Sequence, residues 1–186
     1  MNEFNTYEFA VDQKIEGRWI LARAGLIFLY VSYALGLLIL GFAVKIIVPL
    51  LALIPITLWI IVFVTWRYVA VEYEYSITSG ELTFSKIYGN RSRRRQLVIR
   101  LRDAVRIAPL DNGEYSKQAT DWRPEREYSA ISSLSAPDIY YILFEFEDKS
   151  RKEKRRAIFY FEATARALQI CRFYNPSATV LIKTSR

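Results

Sequence analysis

Two long uncharged runs near the N-terminus constrain this chain more than any other feature of its sequence. The segments 24–44 and 46–66 each contain 21 residues without a charge, and Lys45 alone separates them. A helix of that length rises about 30 Å, which matches the hydrocarbon core of a bilayer. Neither run shows the polar stripe that is typical of a helix in a soluble protein. The sequence therefore predicts two transmembrane helices rather than two buried core helices.

The link between the two runs is so short that the helices are expected to form a tight antiparallel hairpin. Pro49 falls in the first turn of the second helix, and Pro55 lies deeper, where it can kink the helix. Ser32 and Gly36 form a pair of small residues that would permit close helix contact. A cleaved signal peptide is disfavoured, because the run starts late and a second one follows at once.

The basic residues around the runs predict the orientation of the hairpin. Lys14, Arg18 and Arg23 precede the first run, Arg67 follows the second, and the connecting turn carries only Lys45. The positive-inside rule then places both termini in the cytoplasm, with the chain passing twice through the cell (inner) membrane.

Two tryptophans accompany these charges at the expected inner interface. Trp19 lies beside Arg18, and Trp66 lies beside Arg67. Aromatic residues are enriched at the level of the lipid headgroups. These four residues are therefore predicted to lie at the membrane interface.

The lead-in, residues 1–23, shows a helical apolar pattern. Apolar residues recur at steps of three and four, namely Phe4, Tyr7, Val11, Ile15 and Trp19. This spacing predicts an amphipathic cytoplasmic helix. Such a helix could lie on the membrane or pack on the cytoplasmic domain, and the sequence leaves both open.

From residue 67 to residue 186 the pattern changes to strands. Period-two alternation predicts strands over 71–77, 81–88, 96–110, 139–147 and 155–162. Residues 111–137 are polar and are interpreted as a long loop with one short strand near 127–132. Residues 163–174 have helical spacing. The region is therefore expected to form a mainly-β cytoplasmic domain, an antiparallel sheet or partly open barrel closed by a C-terminal helix.

The order of these segments and three stretches of the sequence resemble a known family. The stretch YEYSITSGELTFSKIYGNRSRRR, the strand ending in FYFEA and the segment FYNPSATVLI are similar to those of uncharacterised bacterial membrane proteins with two N-terminal transmembrane helices and a cytoplasmic pleckstrin-homology-like (PH-like) domain. The most specific motifs are the hairpin at Glu74–Leu82 and the Asn175-Pro176 pair. The resemblance implies a bent seven-strand barrel closed by a helix, with the seventh strand supplied by 111–137. It implies no established activity.

The basic excess of the chain is concentrated in this domain. The first 67 residues hold 5 basic and 4 acidic residues, whereas the rest hold 21 and 15. The richest stretch, KIYGNRSRRR at 86–95, is predicted to be a hairpin turn. Because the preceding strand leaves the membrane and the next one returns, this turn is expected at the inner leaflet. The predicted contacts to anionic lipid are Lys86, Arg91, Arg93, Arg94 and Arg95, at about 1 kcal/mol each.

Other interpretations of this turn stay open. It could be a solvated turn that merely satisfies the positive-inside rule, or a site for an acidic protein. A second basic cluster includes Lys149, Arg151 and Lys152 and is expected to face the cytoplasm, as a solvated turn or a partner site. Trp122, in the predicted loop, could contact a partner or fill the open end of the barrel.

The composition disfavours several classes of function. There is no histidine, and Cys171 is the single cysteine, so neither a Ser-His-Asp or Cys-His arrangement nor a cysteine-rich zinc site can form. No phosphate-binding glycine motif occurs either. We therefore expect no enzyme activity, no cofactor and no metal. Nucleic acid is disfavoured as a partner, because strand packing accounts for the aromatic residues.

Two functional hypotheses remain from the sequence. The first is a non-catalytic binding module, tethered to the membrane, that recognises anionic lipid or a peptide or protein. The second is a structural or assembly subunit of a larger membrane complex. The sequence does not decide the oligomeric state.

Overall fold

The computed structural model describes residues 6–89, 91–111, 113–133, 135–148, 153–182 and 184, without the side chains of Arg18 and Asp148. The described residues divide into two compact units. The helical unit holds Lys14–Val71 and Tyr88–Ser92, and the β unit holds the remaining residues. The turn between the two strands of the basic hairpin therefore belongs to the helical unit.

The helical unit is built on two long apolar helices. Helix α1 spans Arg18–Val44, helix α2 spans Ile47–Thr65, and a 3₁₀ turn follows at Trp66–Tyr68. Both helices are long and apolar enough to cross a membrane. Their most apolar stretches are only 11% and 0% buried within the chain, which is not the pattern of helices in the core of a soluble protein.

Hydrogen bonds between tyrosine and threonine side chains join the two helices. The hydroxyls of Tyr30 and Thr65 lie 2.5 Å apart, and the Tyr33 hydroxyl donates to Thr57 at 2.9 Å. Residue numbers rise along α1 as they fall along α2, so the helices are antiparallel, as predicted. In an apolar environment such bonds satisfy groups that would otherwise be costly to bury.

The close contact between the helices is made by a different glycine from the one predicted. A Cβ atom at Gly36 would meet open space, whereas one at Gly41 would lie 3.0 Å from side-chain atoms of Ile47 and Leu50. The prediction for Gly36 is therefore wrong. The helices approach most tightly beside their connecting turn, where Lys45 ends α1 in the left-handed conformation.

The amphipathic helix predicted in the lead-in is wrong for residues 6–12, which form strand β1 (Thr6–Asp12). This strand pairs antiparallel with β2 (Val71–Thr78), in register from Thr6 opposite Thr78 to Asp12 opposite Glu72. The segment also fits a period of two, because Tyr7, Phe9 and Val11 alternate with other residues. Pairing along the edge of β2 satisfies its backbone groups, so the tertiary partner decides the local structure.

Among the described residues, eight strands form two separate four-stranded sheets in the β unit. The first sheet has the order β1-β2-β3-β4, where β3 is Glu81–Tyr88 and β4 is Ser92–Arg100. The second has the order β5-β7-β8-β6, and its strands are Ala104–Pro109, Ile139–Asp148, Glu153–Glu162 and Arg126–Ala130. The sheets are not closed into a barrel.

Two predictions about strands need correction. Residues 96–110 do not form one strand, because a 3₁₀ turn at Leu101–Asp103 sends the chain from the first sheet to the second. The domain is also not purely antiparallel, since β6 pairs parallel with β8. The short strand expected near 127–132 is present as β6.

The rest of the predicted loop at 111–137 contains a helix. Helix α3 spans Gly113–Asp121 and covers one face of the second sheet. Tyr141, Leu143 and Ile158 are buried beneath it, with Ala119 of the helix. This second covered face explains why β7 is apolar at successive positions rather than at alternate ones.

The main core of the β unit is aromatic and is closed by helix α4 (Ala165–Tyr174), as predicted. The Tyr75 ring meets the Phe161 ring edge-on at 5.4 Å, and the rings of Phe84 and Phe159 lie 5.2 Å apart. Helix α4 adds apolar side chains to this core, including Ala167, Leu168, Ile170 and Cys171.

Asn175 fixes the end of α4 to the 3₁₀ turn between the sheets. Its side-chain amide donates to the backbone carbonyls of Leu101 at 3.0 Å, Arg102 at 3.3 Å and Ala104 at 2.9 Å. Its side-chain oxygen accepts from the backbone N–H of Ala178. The Asn-Pro motif therefore holds the point at which the chain changes sheets.

Candidate membrane-surface site

The turn between β3 and β4 is bonded to the chain just beyond the second apolar helix. The backbone N–H of Gly89 donates to the carbonyl of Ala70 at 2.8 Å. Ala70 is the second residue after the 3₁₀ turn that extends α2. The start of the basic stretch is thus fixed a few residues from the end of α2.

Only glycine fits at position 89. Its φ is +56°, which side chains rarely adopt. A Cβ atom there would also lie 2.8 Å from Cβ of Arg67 and 3.1 Å from its Cα. The close approach of the turn to the helix end therefore depends on the absence of a side chain.

Arg91 adds a side-chain contact with the same helix. The central carbon of its guanidinium lies 3.9 Å from the centre of the Phe63 ring. Phe63 lies in the last turns of α2 and is 45% exposed. The cation–π contact places a positive charge directly beside the apolar surface of the helix.

A cleft of about 250 Å³ lies where the turn meets the helix. Its wall is a stripe along α2 and the following 3₁₀ turn, formed by Trp59, Val62, Phe63 and Trp66. Its rim contains Arg67, Gly89 and Arg91. The cleft is therefore apolar along the helix and basic at the helix end.

The other predicted lipid-contact residues lie outside the turn itself. Arg93, Arg94 and Arg95 belong to β4, which begins at Ser92, so the turn is shorter than predicted. Arg93 forms an ion pair with Glu74 at 2.6 Å, where the Glu74 side chain is only 11% exposed. The charge of Arg93 is thus paired with a carboxylate of the same domain.

The remaining three cations differ in their surroundings. The ammonium of Lys86 lies 5.6 Å from the centre of the Tyr73 ring, and the side chain is half-buried. Arg94 and Arg95 are exposed, and neither makes an ion pair with another described residue. Both arginines are therefore available to an external anion.

Arg23, which the sequence analysis used only to orient the hairpin, connects the two helix ends. Arg23 donates to the carbonyl of Val69 at 3.0 Å, and its guanidinium lies 5.8 Å from the centre of the Trp66 ring. Trp19 and Trp66 are both half-buried, and the side chain of Arg18 lies outside the described residues. The position of Arg23, as the last charge before the uncharged run, was the available signal.

Trp122 lies in a packed position at the end of α3. It is half-buried against the core beneath α3, and its indole N–H donates to the carbonyl of Ala157 at 3.1 Å. The Arg156 guanidinium lies 4.9 Å from its ring centre. Its use as a partner contact stays a prediction.

The second basic cluster, with Lys149, Arg151 and Lys152, lies outside the described residues. Its use as a partner site therefore also stays a prediction.

Burial raises the pKa values of several groups in the core. Loss of hydration raises the pKa of Cys171 to about 12 and that of Tyr141 to about 12, and it raises the pKa of Tyr75 further. These groups are therefore neutral at physiological pH.

In the part of the chain that the structure describes, no cluster of three or more His, Cys, Asp or Glu residues could hold a metal.

The fold defines the class of the protein. Two sheets packed on a C-terminal helix, preceded by two apolar helices, form a PH-like domain joined to a candidate membrane hairpin. Residues 4–181 match the family described as Bacterial PH-like domain (DUF6106), and the chain belongs to this family. No curated protein and no solved structure matches the chain. PH-like domains are typically non-catalytic binding modules.

Proposed function

We propose that the chain is a non-catalytic binding module tethered to the cell membrane, in which the basic β3–β4 hairpin recognises anionic lipid. The two apolar helices cross the membrane, and the PH-like domain lies on the inner leaflet. The excess of basic residues at the ends of the helices away from Lys45 supports cytoplasmic positions for both termini.

The packing of the turn on α2 is the observation that carries this proposal. Gly89 is bonded to Ala70, and Arg91 lies on Phe63. Both contacts are made at the end of a helix that is long and apolar enough to span a membrane. If α2 spans the bilayer, the turn is at the level of the lipid headgroups.

The exposed arginines of β4 lie within electrostatic range of such a surface. Arg94 and Arg95 follow Ser92 by two and three residues, and a strand rises about 3.3 Å per residue. They are thus within roughly 10 Å of the turn, close to the screening length of about 8 Å at physiological salt. Each would contribute about 1 kcal/mol of attraction to an anionic leaflet.

Thermal unfolding of the full-length chain in nanodiscs tests the proposal. One set of discs contains phosphatidylcholine, and the other also contains phosphatidylglycerol. We expect the anionic lipid to raise the unfolding midpoint, because it binds the folded state. The increase should shrink at high salt and should be largely lost in the double variant Arg94→Ala/Arg95→Ala.

The matched control removes the same charge elsewhere in the β unit. Lys117 on α3 and Lys154 on β8 are both exposed, so Lys117→Ala/Lys154→Ala should keep the response of the wild type. The proposal is overturned if the anionic lipid has no effect, or if both double variants lose the response equally. The assembly-subunit hypothesis would then take precedence, and a partner should copurify with the full-length chain.

A further inference from the structure

The cleft at the end of α2 has the chemistry of a site for one lipid molecule. We propose that it binds a single anionic phospholipid, whose phosphate is held by Arg67 and Arg91 and whose glycerol and upper acyl chains lie along α2. This inference rests on the proposed function, because it requires α2 to cross the membrane. It adds a defined site to what would otherwise be attraction to a charged surface.

The wall of the cleft follows one face of the helix. The wall residues lie on one stripe, because Val62, Phe63 and Trp66 follow Trp59 by three, four and seven positions. The rings of Trp59 and Phe63 lie 5.3 Å apart. Trp59 is 66% exposed, so a large apolar surface is available for contact with acyl chains.

The depth of the cleft matches the upper part of a phospholipid. Seven residues separate Trp59 from Trp66, which corresponds to about 10 Å along a helix axis. The basic rim lies at the Trp66 end, and Trp59 lies at the deeper, apolar end. An amphiphile satisfies both ends at once, whereas a free anion would use only the rim.

The guanidinium of Arg91 is positioned to bind a phosphate. Its central carbon lies over the Phe63 ring. A guanidinium is planar and carries five N–H donors in that plane. No acceptor for these donors is found among the residues described. A planar fork of this kind binds phosphate oxygens in pairs.

Arg67 supplies the second charge of the rim. It donates one bond to the Tyr68 hydroxyl at 2.8 Å, and its guanidinium lies 4.8 Å from the Tyr68 ring centre. These contacts hold the side chain, while its other N–H groups can serve a ligand. Two guanidinium groups at the rim favour an anionic headgroup over a zwitterionic one.

Native mass spectrometry of the full-length chain in a neutral detergent tests the site. The probes are phosphatidylglycerol, phosphatidylcholine and glycerol 3-phosphate, each added separately. We expect one phosphatidylglycerol per chain to be retained in preference to phosphatidylcholine. Glycerol 3-phosphate should compete only weakly, because it lacks the acyl chains that contact Trp59. Retention of both lipids alike, or equal competition by the soluble phosphate, would overturn the inference.

Single variants separate the cleft from general surface charge. Arg91→Ala should reduce retention of phosphatidylglycerol about tenfold, as expected for loss of about 1.4 kcal/mol, and Arg91→Lys should restore part of it. The matched control, Arg172→Ala, removes the same charge from an exposed site on α4 and should leave retention unchanged. Equal loss in Arg91→Ala and Arg172→Ala would overturn the cleft but leave the proposed function standing. That function is judged separately by Arg94→Ala/Arg95→Ala in nanodiscs.

Discussion

Arg91 and Phe63 lie 3.9 Å apart, measured from the guanidinium carbon to the ring centre. The contact connects the β3–β4 turn to the last turns of α2, although the two residues are 28 positions apart in the sequence. Cation–π contacts stabilise by about 0.5–2 kcal/mol, with the larger values where water is excluded. The end of α2 and the basic turn are therefore expected to behave as one structural element.

The contact between the turn and the helix should be sensitive to a methyl group at position 89. Gly89→Ala forces a left-handed conformation on alanine and brings Cβ against Arg67, which should cost about 1–3 kcal/mol. We expect a lower unfolding midpoint and faster amide exchange at residues 88–92. Gly25→Ala is the control, because a Cβ there meets open space. Equal midpoints for the two variants would contradict the close packing of the turn against Arg67.

The ion pair between Arg93 and Glu74 should stabilise the first sheet. Arg93→Ala leaves the nearly buried Glu74 carboxylate without its partner, at a cost of about 1–3 kcal/mol. Arg94→Ala, on the neighbouring exposed position, should change the free energy of unfolding by no more than about 0.5 kcal/mol. Denaturant unfolding of the full-length chain in detergent measures both, and similar losses would argue against a specific pair. Adding Glu74→Gln to Arg93→Ala should recover part of the stability.

Asn175 should be among the least replaceable polar residues of the β unit. Asn175→Ala leaves the carbonyls of Leu101 and Ala104 without their donors, at a cost of about 3 kcal/mol. Asn175→Asp should cost more, because a carboxylate would face these oxygens with no proton to donate. Gln169→Ala, at an exposed position on α4, is the control and should be nearly neutral. Comparable unfolding curves for Asn175→Ala and Gln169→Ala would show that the asparagine is dispensable.

Stability should decline at alkaline pH. Burial raises the pKa of Cys171 from 9.0 to about 12 and that of Tyr141 from 10.0 to about 12. Between these limits the unfolded chain loses protons that the folded chain keeps, so the stabilising contribution is complete below pH 9 and is lost as the pH rises toward 12. Urea unfolding at pH 7, 9 and 11 should show this decline. It should be smaller in Cys171→Ala than in the wild type, and identical declines would contradict the role of the thiol.

Much of the architecture could be predicted from local patterns in the sequence. The uncharged runs predicted α1 and α2, and the alternation over 81–88 coincides with β3. Helix α4 was expected over 163–174 and spans Ala165–Tyr174. In these segments the apolar face alone determines both the local structure and the packing.

The errors arose where a distant partner determines the structure. β1 satisfies both a helical and a strand period, and only the edge of β2 decides between them. Helix α3 is short and mostly polar. Its packing residues Tyr115 and Ala119, and Trp122 directly after it, are spaced by four and three. That spacing was the missed signal. Local sequence patterns also do not indicate that Arg93 is paired with Glu74, since the two residues are 19 positions apart.

The measurement that tests the central claim most directly is the distance of the β3–β4 turn from the lipid headgroups. A fluorescent label is attached at Ser92→Cys in the full-length chain, in nanodiscs that contain lipids with nitroxide headgroups. The natural Cys171 is fully buried and should not react. Thr78→Cys is the matched control, because Thr78 is exposed and ends β2 just before β3 begins, so the length of β3, roughly 26 Å, separates it from the β3–β4 turn. We predict strong quenching at position 92 and weak quenching at position 78. Equal quenching at the two positions, or none at position 92, would contradict a basic turn that rests on the membrane.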